Sequence, residues 1–152
     1  MEEAAKLQPI KREDKVFFLE MACRHFGELN PDFVPHEDWK AHYFDSIRSN
    51  ENVFPRWIMV NRDRCGFIIF GVEKHRFLPR SNGMVYELYV LPEHRRKGIG
   101  KACAMQALAE LSAQGVSRVQ LEVMEGNNKA VALWEQLGFR KFSERFILER
   151  GR

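Results

Sequence analysis

Along the chain, apolar positions fall into short β-type runs separated by helical stripes, and one stretch organises the rest. Residues 85–91, Val-Tyr-Glu-Leu-Tyr-Val-Leu, are rich in β-branched and aromatic side chains, and Pro92 ends them because it has no N–H for a ladder. A basic loop with two glycines follows at 94–101. Beyond it Ala104, Ala107, Leu108 and Leu111 fall on one helical face and Gln106, Glu110 and Gln114 on the other, with Gly115 as the stop. The pattern over residues 85–113 is therefore strand, glycine turn, helix.

Before this stretch, residues 7–10 read as a short strand. Glu13 and Asp14 can then cap a helix over 15–26 whose apolar face carries Val16, Leu19, Cys23 and Phe26. The stretch from Gly27 through Pro35, with Asn30-Pro31 and Pro35, breaks that pattern, and Trp39, Tyr43 and Ile47 recur every four residues in a second helix over 37–48. Spacing alone makes these three a core stripe. Strands are predicted at 57–60 and 65–72, the latter almost continuously apolar and hence central, with a turn over 75–83 ending in Asn82-Gly83. Residues 118–124 alternate as a strand, while Ala130, Leu133, Trp134 and Leu137 give a helix ending at Gly138. Residues 139–142 and 145–148 read as a closing hairpin. The predicted class is α/β (α+β), a mixed, mainly antiparallel twisted sheet of six to seven strands with four helices on both faces.

The 152 residues, 45% apolar and 30% charged, suit one soluble domain spanning 1–152. Met1-Glu2-Glu3 lacks a basic leader region, and no apolar run approaches a membrane span, so neither secretion nor insertion is expected. Cys23, Cys65 and Cys103 are odd in number, dispersed and set among apolar residues, as buried thiols of a cytoplasmic protein would be. His75 has no second ligand at metal spacing, so no metal site is expected. A net charge of +3 argues against a dedicated nucleic-acid role, and the local basicity of the 94–101 loop suits a polyphosphate better than a duplex.

That loop has the ingredients of an anion site, because the first N–H groups of a helix lack partners, sit at the positive end of its dipole, and are approachable past glycine. A Walker loop fails here, since Arg95 stands where its first glycine belongs and Ala102 follows Gly100-Lys101. A dinucleotide fingerprint lacks its third glycine at Cys103. What remains, Arg95-x-x-Gly98-x-Gly100 after a strand reading Leu-Tyr-Val-x-Pro-Glu, resembles the GNAT superfamily of N-acetyltransferases. Asn127-Asn128-Lys129-Ala130-Val131-Ala132-Leu133-Trp134-Glu135-Gln136-Leu137-Gly138-Phe139 resembles a second block of that family, in the right order.

The resemblance implies acetyl-coenzyme A as co-substrate and direct acetyl transfer to a primary amine of a small molecule or protein. A noncatalytic acyl-coenzyme A sensor on the same fold is the alternative. It implies that Arg95, Arg96, Lys97, Gly98, Ile99, Gly100 and Lys101 hold the pyrophosphate, and that the backbone of Leu88 and Val90 pairs with the pantetheine arm where two strands splay apart. Asn127 would contact the same arm, although asparagine also favours a helix N-cap. Trp134 stands on the cofactor-binding segment where many relatives carry a tyrosine credited with protonating the leaving thiolate, a role indole cannot fill. Phe33, His36, Trp39 and Tyr43 become candidates for the acceptor wall. Glu87, the one acid on the organising strand, is the candidate general base, ahead of His36 and Glu37, its alternative role being to bind a cation or pair with an arginine. The sequence names neither the acceptor nor the acyl length, and a homodimer stays open.

Overall fold

The structure, a computed structural model, describes residues 4–151. It divides into two compact units, one ending at Glu122 and the other beginning at Val123, each described by itself. The larger unit holds five strands, β1 (Lys6–Pro9), β2 (Val53–Val60), β3 (Asp63–Lys74), β4 (Ser81–Val90) and β5 (Val119–Gln120), in the order β1-β2-β3-β4-β5. Neighbours are antiparallel except β4 and β5, which run parallel. Its helices are α1 (Lys15–Leu29), α2 (Glu37–Ser49) and α3 (Ile99–Ala113). The expected α+β class, mixed sheet and central apolar strand are all present, with β3 in the middle and residues 65–71 buried.

The sheet is covered on both faces. On one, Phe18 and Ala22 of α1 and Phe44 of α2 pack against Trp57, Phe67, Ile69 and Tyr89, making the main core. On the other, α3 buries Cys103, Ala104, Ala107 and Leu111, and its Glu110 reaches Arg56, whose guanidinium lies over Phe54 and Phe70. The predicted end of α3 is a Schellman motif: Gly115 N–H donates to Ser112 O and Val116 N–H to Leu111 O.

Sequence expectations for four segments are corrected. Helix α1 runs through Gly27 to Leu29, past its expected end at residue 26, and its buried stripe is Phe18, Ala22 and His25, whereas Val16 is 65% exposed. A histidine inside the stripe hid its i, i+4, i+7 spacing. Strand β2 begins at Val53 rather than residue 57, because residues 53–56 pair with 68–71 of β3; Pro55, just past the last β1 pair at Arg56, still accepts from Ile10 N–H at 3.3 Å. Residues 118–124 form a strand only at Val119–Gln120. The hairpin at 139–142 and 145–148 is not formed, and Phe142, Phe146, Ile147 and Leu148 are exposed. Five strands rather than six or seven are therefore found among the described residues. Alternation marks a segment as suited to a sheet, but a strand exists only when a neighbour takes its ladder bonds.

The smaller unit contains α4 (Asn128–Gln136). Asn127 caps it, Oδ1 accepting from Ala130 N–H at 3.2 Å. The helix closes as α3 does, with Gly138 N–H donating to Glu135 O and Phe139 N–H to Trp134 O, and the Trp134 and Phe139 rings meet at 5.4 Å.

Candidate active site

A bulge in β4 decides where Glu87 points. Ile69 of β3 pairs with Glu87, yet Phe70 pairs with Val85, so Tyr86 is an extra residue and the in-out alternation slips by one across it. Val85 shares the face of Phe70, the α3 side. Glu87 and Tyr89 share the face of Ile69 and Phe67, the α1 side. Strict period-two reading would have put Val85 and Glu87 together.

On the α1 side the Glu87 carboxylate meets a residue the sequence reading passed over. His25 Nε2 lies 2.5 Å from Glu87 Oε2, the imidazole being 8% and the carboxylate side chain 24% exposed. The His25 ring packs against Phe26, Phe67 and Tyr89. From Phe26 an aromatic cluster continues to Phe33, Trp39 and Tyr43, with Trp39 and Tyr43 stacked at 5.0 Å. Burial, and then the Glu87 carboxylate, push the Tyr43 phenol well above its ordinary range, so it stays protonated. Three of the four acceptor-wall candidates are thus gathered in one cluster. His36 is elsewhere employed: its side chain is 77% exposed and its Nδ1 caps α2 by accepting from Asp38 N–H at 3.2 Å.

Beyond Val90 the chain enters the glycine turn. Arg96 and Gly98 take left-handed backbone conformations, φ 65° and 76°, and Gly98 is the N-cap of α3. The opening N–H groups of α3, at Ile99, Gly100 and Lys101, have no acceptor within the helix and face out of its positive end. Gly98 is needed for its φ. Gly100 is not needed for packing: a Cβ there would meet Val90 Cγ2 at 3.5 Å and Leu88 Cδ2 at 4.0 Å, ordinary contacts. The space it leaves opens between the turn and β4. Beside it, β5 pairs with β4 only at Gly83 and Met84, so the far edge of β4 from Val85 to Val90 has no strand partner among the described residues.

Arg95 faces the other way. Its Nε donates to Val90 O at 2.7 Å, its guanidinium pairs with Glu28 of α1 at 2.6 Å, and it lies over the Tyr89 ring. Arg96, Lys97 and Lys101 are exposed around the turn. Glu28, like His25, went unmarked in the sequence because a single acid on a helix carries no motif. Among the described residues no cluster of three metal-ligating side chains occurs, and no described helix is long and apolar enough to cross a membrane. Asn127 and Trp134 lie in the smaller unit, the first as helix cap and the second buried.

The sequence matches the Acetyltransferase (GNAT) family over residues 17–139. The chain belongs to that family. Among its GNAT relatives, a mycothiol acetyltransferase from Thermobispora bispora is 43% identical over 66 residues, 41% of this chain and 22% of that protein. Another, from Acidothermus cellulolyticus, is 32% identical over 109 residues, 72% of this chain and 33% of that protein. The chain therefore spans between about a fifth and a third of the length of these curated relatives. Two solved structures share the GNAT fold. Ribosomal-protein-alanine N-acetyltransferase from Brucella melitensis biovar Abortus 2308 matches with TM-score 0.78 at 18% identity, covering 97% of this chain and 100% of that one. An aminoglycoside 6'-N-acetyltransferase from Acinetobacter haemolyticus matches with TM-score 0.75 at 14% identity, covering 97% and 99%.

Proposed function

We propose that this GNAT protein is an acetyl-coenzyme A-dependent N-acetyltransferase acting on a primary amine. The observation that carries the reading is the unpaired edge of β4 running into the glycine turn, with the Glu87 carboxylate on the neighbouring face. The co-substrate supplies an acetyl group activated as a thioester. The N–H groups of Ile99, Gly100 and Lys101, with Arg96 and Lys97 around them, suit its pyrophosphate. The open edge at Leu88 and Val90 suits amide groups of an extended arm, which would pair with it as an added strand does. We take Asn127 and Trp134 as further contacts to that arm on their motif match. Because the family match runs from one unit into the next, we read 1–152 as one N-acetyltransferase domain.

Glu87 answers the main demand of the acceptor. An amine of lysine type, pKa ~10.4, must lose a proton before it can attack, at a cost of about 4.6 kcal/mol at neutral pH. The nitrogen lone pair then forms the new C–N bond as the C–S bond breaks. The ammonium proton has by then passed to Glu87, the electron pair leaves with sulfur, and the second nitrogen proton is shed as the amide forms, to the departing thiolate or to water. A thiolate of ordinary pKa, ~8.5, needs no dedicated acid in order to depart. This suits a chain with tryptophan at position 134.

The relatives' names state different acceptors, so a primary amine is as far as the acceptor is specified. The test is thiol release from acetyl-coenzyme A with a panel of amines, aminoglycosides and peptides with N-terminal alanine included. Glu87→Gln should lower kcat/KM by about 10²-fold or more, with the loss shrinking as pH rises toward the amine's own pKa. Cofactor binding without turnover on any amine would make the protein an acyl-coenzyme A-binding domain instead.

A further inference from the structure

The His25–Glu87 contact joins the buried stripe of α1 to the proposed base across 62 residues of chain, and His25 lies outside both of the motif blocks quoted above. We infer that His25 is a positioning residue for Glu87, holding its carboxylate in the orientation from which it takes the ammonium proton; this rests on the N-acetyltransferase reading above.

The chemistry of the contact fixes its direction. An ionised carboxylate only accepts, so the hydrogen between Nε2 and Oε2 belongs to His25, whichever charge the ring carries. The bond occupies Oε2 and leaves Oε1 of the same carboxylate for the proton of the amine.

The surroundings make His25 a rigid donor. Phe26, Phe67 and Tyr89 touch its ring, and it stands on the buried stripe of a 15-residue helix between Ala22 and the C-terminal turn. An apolar side chain would fill that position without a desolvation penalty, so the imidazole contributes something packing does not require. What it contributes is a fixed end for a side chain with three rotatable bonds. Glu87 sits beside the β4 bulge, where the strand turns it toward α1, and its negative charge helps to keep the Tyr43 phenol protonated. Without the His25 donor the carboxylate would sample several rotamers, only some of them facing the open side. Misplacing a reacting group by about 1 Å costs on the order of 10²-fold in rate.

The test is a double-mutant cycle on the full chain, read as kcat and KM for acetyl-coenzyme A and for the best amine. His25→Phe keeps the ring volume and removes the donor, whereas His25→Gln keeps a donor N–H without an ionisable ring. Expected is a loss of about 10²-fold in kcat for His25→Phe with KM for acetyl-coenzyme A unchanged, and recovery to within about 10-fold of wild type in His25→Gln. Adding His25→Phe to Glu87→Gln should cost nothing further, because both act through one group. If His25→Phe does not fold, His25→Asn, too short to reach the carboxylate, closes the same cycle. A merely structural histidine would lower the melting temperature of every variant, leave kcat untouched or add its loss to that of Glu87→Gln, and overturn the inference. Full activity of Glu87→Gln alone would overturn the base assignment and this inference with it. Loss in Glu87→Gln beside an indifferent His25→Phe would overturn the inference and leave the assignment standing.

Discussion

Gly100→Ala should stabilise the protein and weaken its cofactor binding at once. Gly100 is the second residue of α3 and has an ordinary helical φ, and the added Cβ would meet nothing closer than Val90 Cγ2 at 3.5 Å. Replacing glycine by alanine where the native conformation allows it gains about 0.4–1 kcal/mol through the unfolded chain. For a chain of this size that raises Tm by roughly 1–4 °C. The same methyl group would stand in the gap between the turn and β4. If pyrophosphate oxygens rest there at about 2.9 Å from the helix N–H groups, a shift of about 1 Å takes them out of hydrogen-bond range. Losing one such charge-assisted bond costs about 1.5–3 kcal/mol, or about 10–150-fold in Kd. Gly98→Ala is the contrasting variant: nothing crowds its Cβ, but φ of +76° is left-handed, so it should destabilise by about 1–2 kcal/mol. Calorimetric titration with coenzyme A and thermal unfolding with and without it separate the two effects. Wild-type affinity in Gly100→Ala would refute the idea that the anion lies over this glycine.

Asp14 accepts from Trp57 Nε1 at 3.0 Å, Lys11 N at 2.9 Å and Arg64 at 2.9 Å. Asp14→Ala strands the buried indole N–H and should cost about 1–3 kcal/mol, roughly 2–12 °C in Tm by calorimetry. Burial alone would raise the Asp14 carboxyl, but the Trp57 and Lys11 bonds and the Arg64 charge outweigh it, and its pKa falls below the ordinary 3.8. With the folded value below the unfolded one, its contribution is complete above about pH 4 and is lost as pH falls through the folded value, which denaturant midpoints between pH 5 and 2 would register. Cys65 and Cys103 are fully buried, and burial, then Cys65, push the Cys103 thiol up to about 11, so neither should react with thiol reagents at neutral pH until the chain unfolds, as mass spectrometry after alkylation would report. Trp134→Phe should retain most of kcat in the thiol-release assay while lowering Tm, since the indole packs on Phe139 and is no proton source.

What the sequence by itself determined was local. The glycine turn after a proline-ended strand, the helices and their stops, and the central apolar run of β3 are written in spacings of two to four residues. Apart from α1, which runs on to Leu29, they appear where those spacings put them, down to Asn127 as the cap of α4 and Gly115 beyond α3. The tertiary structure decided what spacing does not encode. Whether Glu87 faces α1 or α3 depends on the bulge at Tyr86, which exists because β3 and β4 pair on both sides of it with different registers. That His25 is a carboxylate's partner, and Arg95 the partner of Glu28 rather than a side chain aimed at the turn, follows from packing α1 over β4, a contact across 62 and 67 residues of chain. The alternating residues after Gly138 show the same limit from the other side. A period of two states which face a residue would take in a sheet, and only a neighbouring strand, supplied by the rest of the fold, turns it into one.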